Sequence, residues 1–317
     1  MSRMRAIIVV FPAVVGHILL PASLLSRLWQ ATDHDLLTWL VAVFLPLGYF
    51  AFIYVAGAWS WFGGLCRHVL PVLLLMTVVT TYPGGRVSTT LPLPVSVEFA
   101  MQALLGTAFA AMTILALRSR YPPLPVRDLV FPLRGGTFRV GQGGASRTLN
   151  HHFSNTSQRY ALDILRLNRL GVRARGLYPK QLGRYAIWGT EVVSPCEGVV
   201  VAAVDGFPDL LPPERDTQNR AGNYVAIESD GVTVYLAHLM RNSLTVRVGD
   251  RVYPGQLLGL VGNSGNTTEP HLHIHAEQGG YTGKFSGMPG IPIRFGDRFL
   301  VRNDCVKAPR RRSHPAA

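Results

Sequence analysis

Six of the ten histidines of this 317-residue chain fall in three places: His151-His152, His238, and the set His271, His273 and His275. In EPHLHIHAE, histidine alternates with apolar residues. On a strand, alternate side chains share a face, so these three rings line up on one side. Neutral imidazole is a common zinc ligand. Two or three His with one carboxylate and an open position make a hydrolytic zinc site. A surface His ladder is the plainer alternative, although an exposed strand face more often carries Thr, Lys or Glu. His238 follows the run VTVYLA and, taken alone, reads as structural. A carboxylate is at hand in RYALDIL: Asp163, between Leu162 and Ile164, is costly to bury unless paired or bound to a metal. An ion pair at a strand edge, with Arg159 for instance, is the competing reading. His17, His34, His68 and His314 have no such company.

The elements that must position these groups are short strands. From about residue 135, Gly, Pro, Asn and Asp recur between runs rich in Val, Ile and Tyr: 197–203, 223–228, 232–238 and 256–261. Regular short strands with turn signals predict a mainly β domain of sandwich or barrel-like kind. Gly249-Asp250 and Pro254-Gly255 mark turns inside VRVGDRVYPGQLLGLVGNSGN. Lipoyl- and biotinyl-carrier hairpins have a similar outline but need an exposed Lys at the tip, which this run lacks.

The first third of the chain is of another kind. Overall 48% of residues are hydrophobic and 15% charged, and mean hydropathy is +0.21, which argues against disorder and against an ordinary cytosolic enzyme. Residues 1–117 carry five Arg, no Lys and three acidic residues, a net of +2; the remaining 26 basic and 15 acidic residues give 118–317 a net of +11. Apolar stretches at 6–26, 37–58, 65–82 and 97–117 predict an α-helical transmembrane region of three or four helices over 1–120. The third is short, with its apolar centre from Val69 to Thr81. The first is too long for a cleaved signal peptide and lacks a clear small-residue cleavage site. Segment 121–145 is Pro- and Gly-rich and reads as a linker, 146–300 as the β domain, and 301–317 as a basic tail. The tail's charge suits solvent or lipid headgroups better than nucleic acid. Three cysteines are too few and too scattered for a disulfide framework or a Cys-based zinc site. Arg3 and Arg5 against Asp33 and Asp35 lean towards a cytoplasmic N-terminus. Four crossings would then keep the β domain inside, and three would put it outside.

Over roughly 146–290 the chain resembles the lysostaphin/LytM-type zinc endopeptidases. The resemblance rests on ALDI, SPCEGVVVAA, GNYVAIE, the AHL tripeptide at Ala237–Leu239, and VGDRVYPGQLLGLVGNSGNTTEPHLH, in that order. It implies a lysostaphin-like antiparallel β fold, a duplicated hybrid motif, and a zinc site. Asp163 matches the carboxylate ligand and His273 a His ligand. His238 and His271 match the pair that orients water and stabilises the oxyanion. Members usually carry the first ligand as a His four residues before the Asp, and here that position is Arg159. Two expectations follow. In one, the ligand has moved upstream to Asn-His-His, with His152, or His151 as the alternative, reaching the metal. In the other, the site is degenerate and the domain is a regulatory or scaffold module for a cell-wall hydrolase or envelope complex. His275 stands where relatives usually have Glu and is expected at the groove rim, with a group supporting the ligands or an extra ligand as the alternatives; Asn223 is expected to shape the groove or a turn. Specificity would reside in loops 165–190 and 205–221. The resemblance implies cleavage of peptide bonds in bacterial peptidoglycan, with the peptidase domain outside the cytoplasmic membrane. The multi-pass region would be embedded in the lipid bilayer, with room for a membrane-protein partner.

Overall fold

The computed structural model describes residues 2–30, 36–84 and 97–309. The chain divides into two compact units, residues 7–118 and, chiefly, 119–317.

In the first unit, α1 (Ser2–Val14) and α2 (Leu20–Gln30) are joined by a π-helical turn at Val15–Leu19; α3 (Leu36–Ala56), α4 (Trp59–Thr80) and α5 (Val97–Arg118) follow. Among the described residues, four helical segments are long and apolar enough to cross a membrane: Ala6–Gln30, Leu36–Ala56, Trp59–Thr80 and Val97–Arg118. They are apolar all round, with Leu65, Leu75, Val79, Leu104 and Leu115 exposed, a pattern that suits lipid rather than water. The third stretch is not short, contrary to expectation. Its helix starts at Trp59, whose ring is buried against Tyr49, Phe50 and Ile53, and a break at Gly63 (φ 88°) lets the chain bend there. His17 is structural: its Nε2 accepts the Ala58 N–H at 2.8 Å, at the interruption between α3 and α4. Asp33, His34 and Asp35 lie outside the described residues, as do 310–317 of the basic tail.

Among the described residues, the second unit is built from thirteen strands. They are β1 (Arg127–Leu129), β2 (Gly136–Gln142), β3 (Leu162–Leu167), β4 (Glu191–Val193), β5 (Gly198–Val204), β6 (Asn223–Ser229), β7 (Val232–Leu239), β8 (Arg251–Val252), β9 (Leu257–Leu260), β10 (Leu272–Gln278), β11 (Gly290–Ile291), β12 (Ile293–Phe295) and β13 (Cys305–Ala308). A nine-stranded sheet runs β13-β2-β3-β10-β7-β6-β5-β8, with β11 beside β10. All its pairings are antiparallel. Two-stranded pairs β4-β9 and β1-β12 complete the unit. The mainly β class expected from the turn spacing, and the antiparallel arrangement that the resemblance implies, are observed.

The sheet extends past both ends of 146–300. β1 and β2 lie in the segment expected to be a linker, and β13 lies in the expected tail. Leu129, Leu133, Phe138 and Val140 are buried in the main core. The prolines of 121–134 precede or flank strands and fit an extended edge, so a Pro-rich run here still contributes apolar side chains to the core.

Alternation divides the central strands. Leu162 and Ile164 of β3, Val234 and Leu236 of β7, and Leu272, Ile274 and Ala276 of β10 fill the main core. The opposite face of β3 and β10 carries Asp163, His273, His275 and Glu277, all buried as well. A face that buries four ionisable groups in place of apolar ones is where chemistry is to be sought.

Candidate functional site

Register brings the expected ligands together. In the β3–β10 pairing, His273 lies directly opposite Asp163, and His273 Nδ1 is 3.0 Å from Asp163 Oδ1. His152 arrives from the other side, its Nε2 3.0 Å from each Asp163 oxygen. His271 Nε2 is 3.5 Å from Asp163 Oδ1. Ligand atoms of His151, His152 and Asp163 lie within 4.8 Å of one another. His151 is exposed and its ring lies against that of His152 at 3.9 Å, so of the two it is His152 that faces the carboxylate.

The Asn-His-His segment holds its shape through Asn150, which sequence reasoning passed over. Asn150 is fully buried. Its Oδ1 accepts the His152 N–H, and its Nδ2 donates to the carbonyls of Gly144, Arg159 and Ala161. It thereby starts the short helical turn His151–Ser154, as Asn favours, and ties it to the chain just ahead of Asp163. Arg159 stacks over the Phe153 ring, 5.2 Å from its centroid. Among the described residues Asp163 pairs with His152, His271 and His273, not with Arg159.

His238 needs a backbone device. Alternation would turn it away from Ala237, which sits opposite His273 on the site face. In the β6–β7 pairing, Asn223 faces Leu239 and Tyr224 faces Ala237, which leaves His238 as the extra residue of a bulge. Its φ is +63°, a left-handed conformation that a non-glycine residue adopts at a cost. The bulge aims the ring at His271 and His273, with centroids at 4.8 and 5.8 Å, a common use of bulges beside functional sites. His238 Nδ1 lies 2.8 Å from the Ser264 carbonyl, to which it donates, leaving Nε2 for the site. Ser264 Oγ accepts the Asn223 N–H and donates to the Leu239 carbonyl. The Gly-Asn-Ser-Gly sequence is therefore the brace behind His238. Asn223 pins Phe207 at the groove wall through its N–H and carbonyl, consistent with the groove-shaping role expected of it.

His271 is oriented in the same manner: its Nδ1 is 2.8 Å from the Glu269 carbonyl. Glu269 in turn receives the buried Arg173 at 2.8 Å, a brace supplied by the 165–190 loop. His275 is not at the rim. It is 1% exposed, behind His273, with the Tyr235 ring stacked on it at 4.7 Å.

Burial shapes the protonation states. It pushes His238 down to about 3 and His273 well below the ordinary imidazole value, so both are neutral at pH 7 and have lone pairs to offer. For Asp163 burial acts upward, but the nearby His152 and His271, with the close contacts of His152 and His273, outweigh it and hold the carboxyl well below its usual range. An ionised carboxylate beside the neutral His273, with the His152 nitrogen also at 3.0 Å, is the kind of donor set zinc takes, so these residues fit that metal.

A groove of about 470 Å³ opens onto His151, His152, His238 and His273. A neighbouring hollow of about 430 Å³ shares Asn155, Gln158, Arg220 and Phe285 with it. The 205–221 loop supplies Phe207, Gln218, Asn219 and Arg220 to this lining, while among the described lining residues none comes from 165–190.

Residues 184–284 match the model of peptidase family M23. The matched segment contains His238, His271 and His273 and begins after Asp163. The peptidoglycan DD-endopeptidase ShyC of Vibrio cholerae is 36% identical over 118 residues, 36% of this chain and 25% of the relative. ShyA of the same organism is 38% identical over 87 residues, 27% and 19% of the two chains. This chain thus spans at most about a quarter of the length of these relatives. The solved catalytic domain of lysostaphin from Staphylococcus simulans is 26% identical with a TM-score of 0.20, covering 37% of this chain and 85% of that one. The C-terminal region of the chain carries a peptidase family M23 domain.

Proposed function

We propose that the protein is a membrane-anchored zinc metalloendopeptidase that cleaves peptide bonds of bacterial peptidoglycan. The observation that carries this reading is the Asp163 carboxylate held at 3.0 Å by imidazole nitrogens of both His152 and His273. His152, Asp163 and His273 hold the metal. Zinc, when bound, supplies a Lewis acid that acidifies water and polarises a carbonyl. His238 and His271 do the proton work. Each has its Nδ1 at 2.8 Å from a backbone carbonyl, so each presents Nε2 towards the reacting groups. One Nε2 takes the proton of the attacking water and returns it to the leaving amine; the other stabilises the developing oxyanion as a donor when its ring carries a second proton. Water oxygen joins the carbonyl carbon, the C–N bond breaks, and a carboxylate and an amine leave.

The groove supports a peptide occupant. It is an open channel lined by amides and the aromatic Phe285, with Arg220 as the permanent charge among the described lining residues, which suits a substrate rich in carboxylates. The relatives' names place peptidoglycan as their substrate. An anchored enzyme acting on it needs the β domain on the cell-wall face.

The test is digestion of purified peptidoglycan by the full chain in detergent, with products identified by mass spectrometry. New amine and carboxyl ends on stem or bridging peptides are expected, lost on chelation and restored by zinc. His238→Ala is expected to lower kcat/KM by about 10²–10³-fold with zinc retained. Intact peptidoglycan under zinc-replete conditions would contradict the reading and favour a non-catalytic regulatory module.

A further inference from the structure

We infer that His275 and Glu277 are positioning residues for the metal centre: they fix which nitrogen of His273 carries its proton and so present the other to the metal. This rests on the zinc reading above and extends it to groups that touch neither metal nor substrate. The three side chains occupy alternate positions of β10, on its site face, at 2%, 1% and 1% exposure. They form an unbroken line. His273 Nε2 is 3.0 Å from His275 Nδ1, and His275 Nε2 is 3.3 Å from Glu277 Oε1. Glu277 Oε2 accepts the N–H groups of Gly287 and Met288 at 3.1 and 3.0 Å. Tyr235 and Phe285 clamp the His275 ring, one stacked and one edge-on.

The line has a direction. A carboxylate only accepts, so His275 Nε2 is the N–H, shared with the Ser286 Oγ that also lies 3.3 Å from it. An imidazole whose single N–H is spent on Glu277 has its other nitrogen as an acceptor, so His275 Nδ1 is an acceptor. His273 Nε2 must then donate to it, which leaves His273 Nδ1 as a bare lone pair. That lone pair faces Asp163 Oδ1 at 3.0 Å. Two acceptors facing each other repel unless a cation is shared between them. The chain running inward from the Gly287–Met288 backbone thus prepares a metal-binding nitrogen, a common arrangement for ligating histidines. Replacing Glu277 by Gln admits the opposite order. An amide N–H₂ aimed at His275 Nε2 turns that nitrogen into the acceptor, His275 donates to His273 Nε2, and the proton moves to His273 Nδ1, where the metal belongs.

The experiment measures zinc Kd by competition with a chromophoric chelator, and the visible spectrum of the Co²⁺ form, on the full chain in detergent. Glu277→Gln and His275→Phe are compared with the parent and with Thr233→Val, which removes another buried polar contact of the domain, Thr233 to the Gly279 carbonyl. The expected result is a zinc Kd raised about 10–100-fold by Glu277→Gln and by His275→Phe with an altered Co²⁺ spectrum. Thr233→Val should lower only the melting temperature. If the phenylalanine variant does not fold, the near-isosteric Gln variant decides alone. A parent that binds zinc, with Glu277→Gln unchanged in Kd and spectrum, would overturn this inference and leave the zinc reading intact. A parent that binds no zinc would overturn both.

Discussion

Asp163 and His238 are both buried and both held in the form that suits folding at neutral pH, and this gives the site a pH signature. His238 has its pKa lowered from 6.5 to about 3 by burial. Between those values the unfolded chain binds more protons than the folded one, so stability rises with pH there. The contribution is complete above the unfolded value and is lost as pH falls towards 3. Asp163, also lowered, adds a loss of the same sign at still lower pH. Thermal melts of the chelator-treated chain should therefore show Tm falling as pH drops from 7 to 4, with a shallower fall in His238→Gln. A Tm that rises on acidification would contradict the buried, neutral state of this ring. At this scale the sequence was legible where residue type carries the chemistry. Asp163 inside an apolar run and the HLH pair are found together, and His152 faces Asp163 in spite of Arg159. Glu277 and Asn150 escaped notice because their partners are distant in sequence or backbone atoms, and neither leaves a trace in composition.

The strands position these groups by register, and one bulge does what register cannot. Alternation correctly puts His273 and His275 on one face of β10, and His271, the residue before the strand, reaches the same side, 3.5 Å from Asp163. It fails for His238, whose orientation depends on a left-handed residue and on Gly222 and Ser264 behind it. Gly222 has φ +60°, and a Cβ there would collide with the Ser264 backbone. Gly222→Ala is expected to destabilise the β domain by roughly 2–4 kcal/mol. It should also lower turnover, because the Ser264 carbonyl that holds His238 must move. Urea unfolding and peptidoglycan digestion measure the two effects, and a variant equal to the parent in both would refute the brace. The boundaries of 121–145 and 301–317 misled for a related reason: Pro-rich and basic residues mark loops and tails on average, but β2 and β13 are fixed by the large sheet they join and β1 by its pairing with β12.

On the scale of the whole molecule, four apolar helices precede a hydrolase-like β domain, and the chemistry of one constrains the placement of the other. Helix length and composition were plain in the sequence. The extent of the third helix was not, because Gly63, Gly64 and Arg67 interrupt the apolar run that the buried Trp59 begins. Four crossings from an N-terminus outside, or three from one inside, would place the domain on the cell-wall face. A compartment-sensitive reporter fused after Pro125 is expected to give the extracytoplasmic signal, and a cytoplasmic signal would exclude the cell wall as substrate. The central claim is that a complete zinc site survives with Arg159 in the ordinary ligand position, and metal content tests it most directly. Zinc should be measured in the purified full chain beside His152→Ala and Arg159→Ala. The predicted result is about one zinc per chain in the parent and in Arg159→Ala, and none in His152→Ala. A metal-replete parent without zinc, or a His152→Ala variant that keeps it, would contradict the site described here.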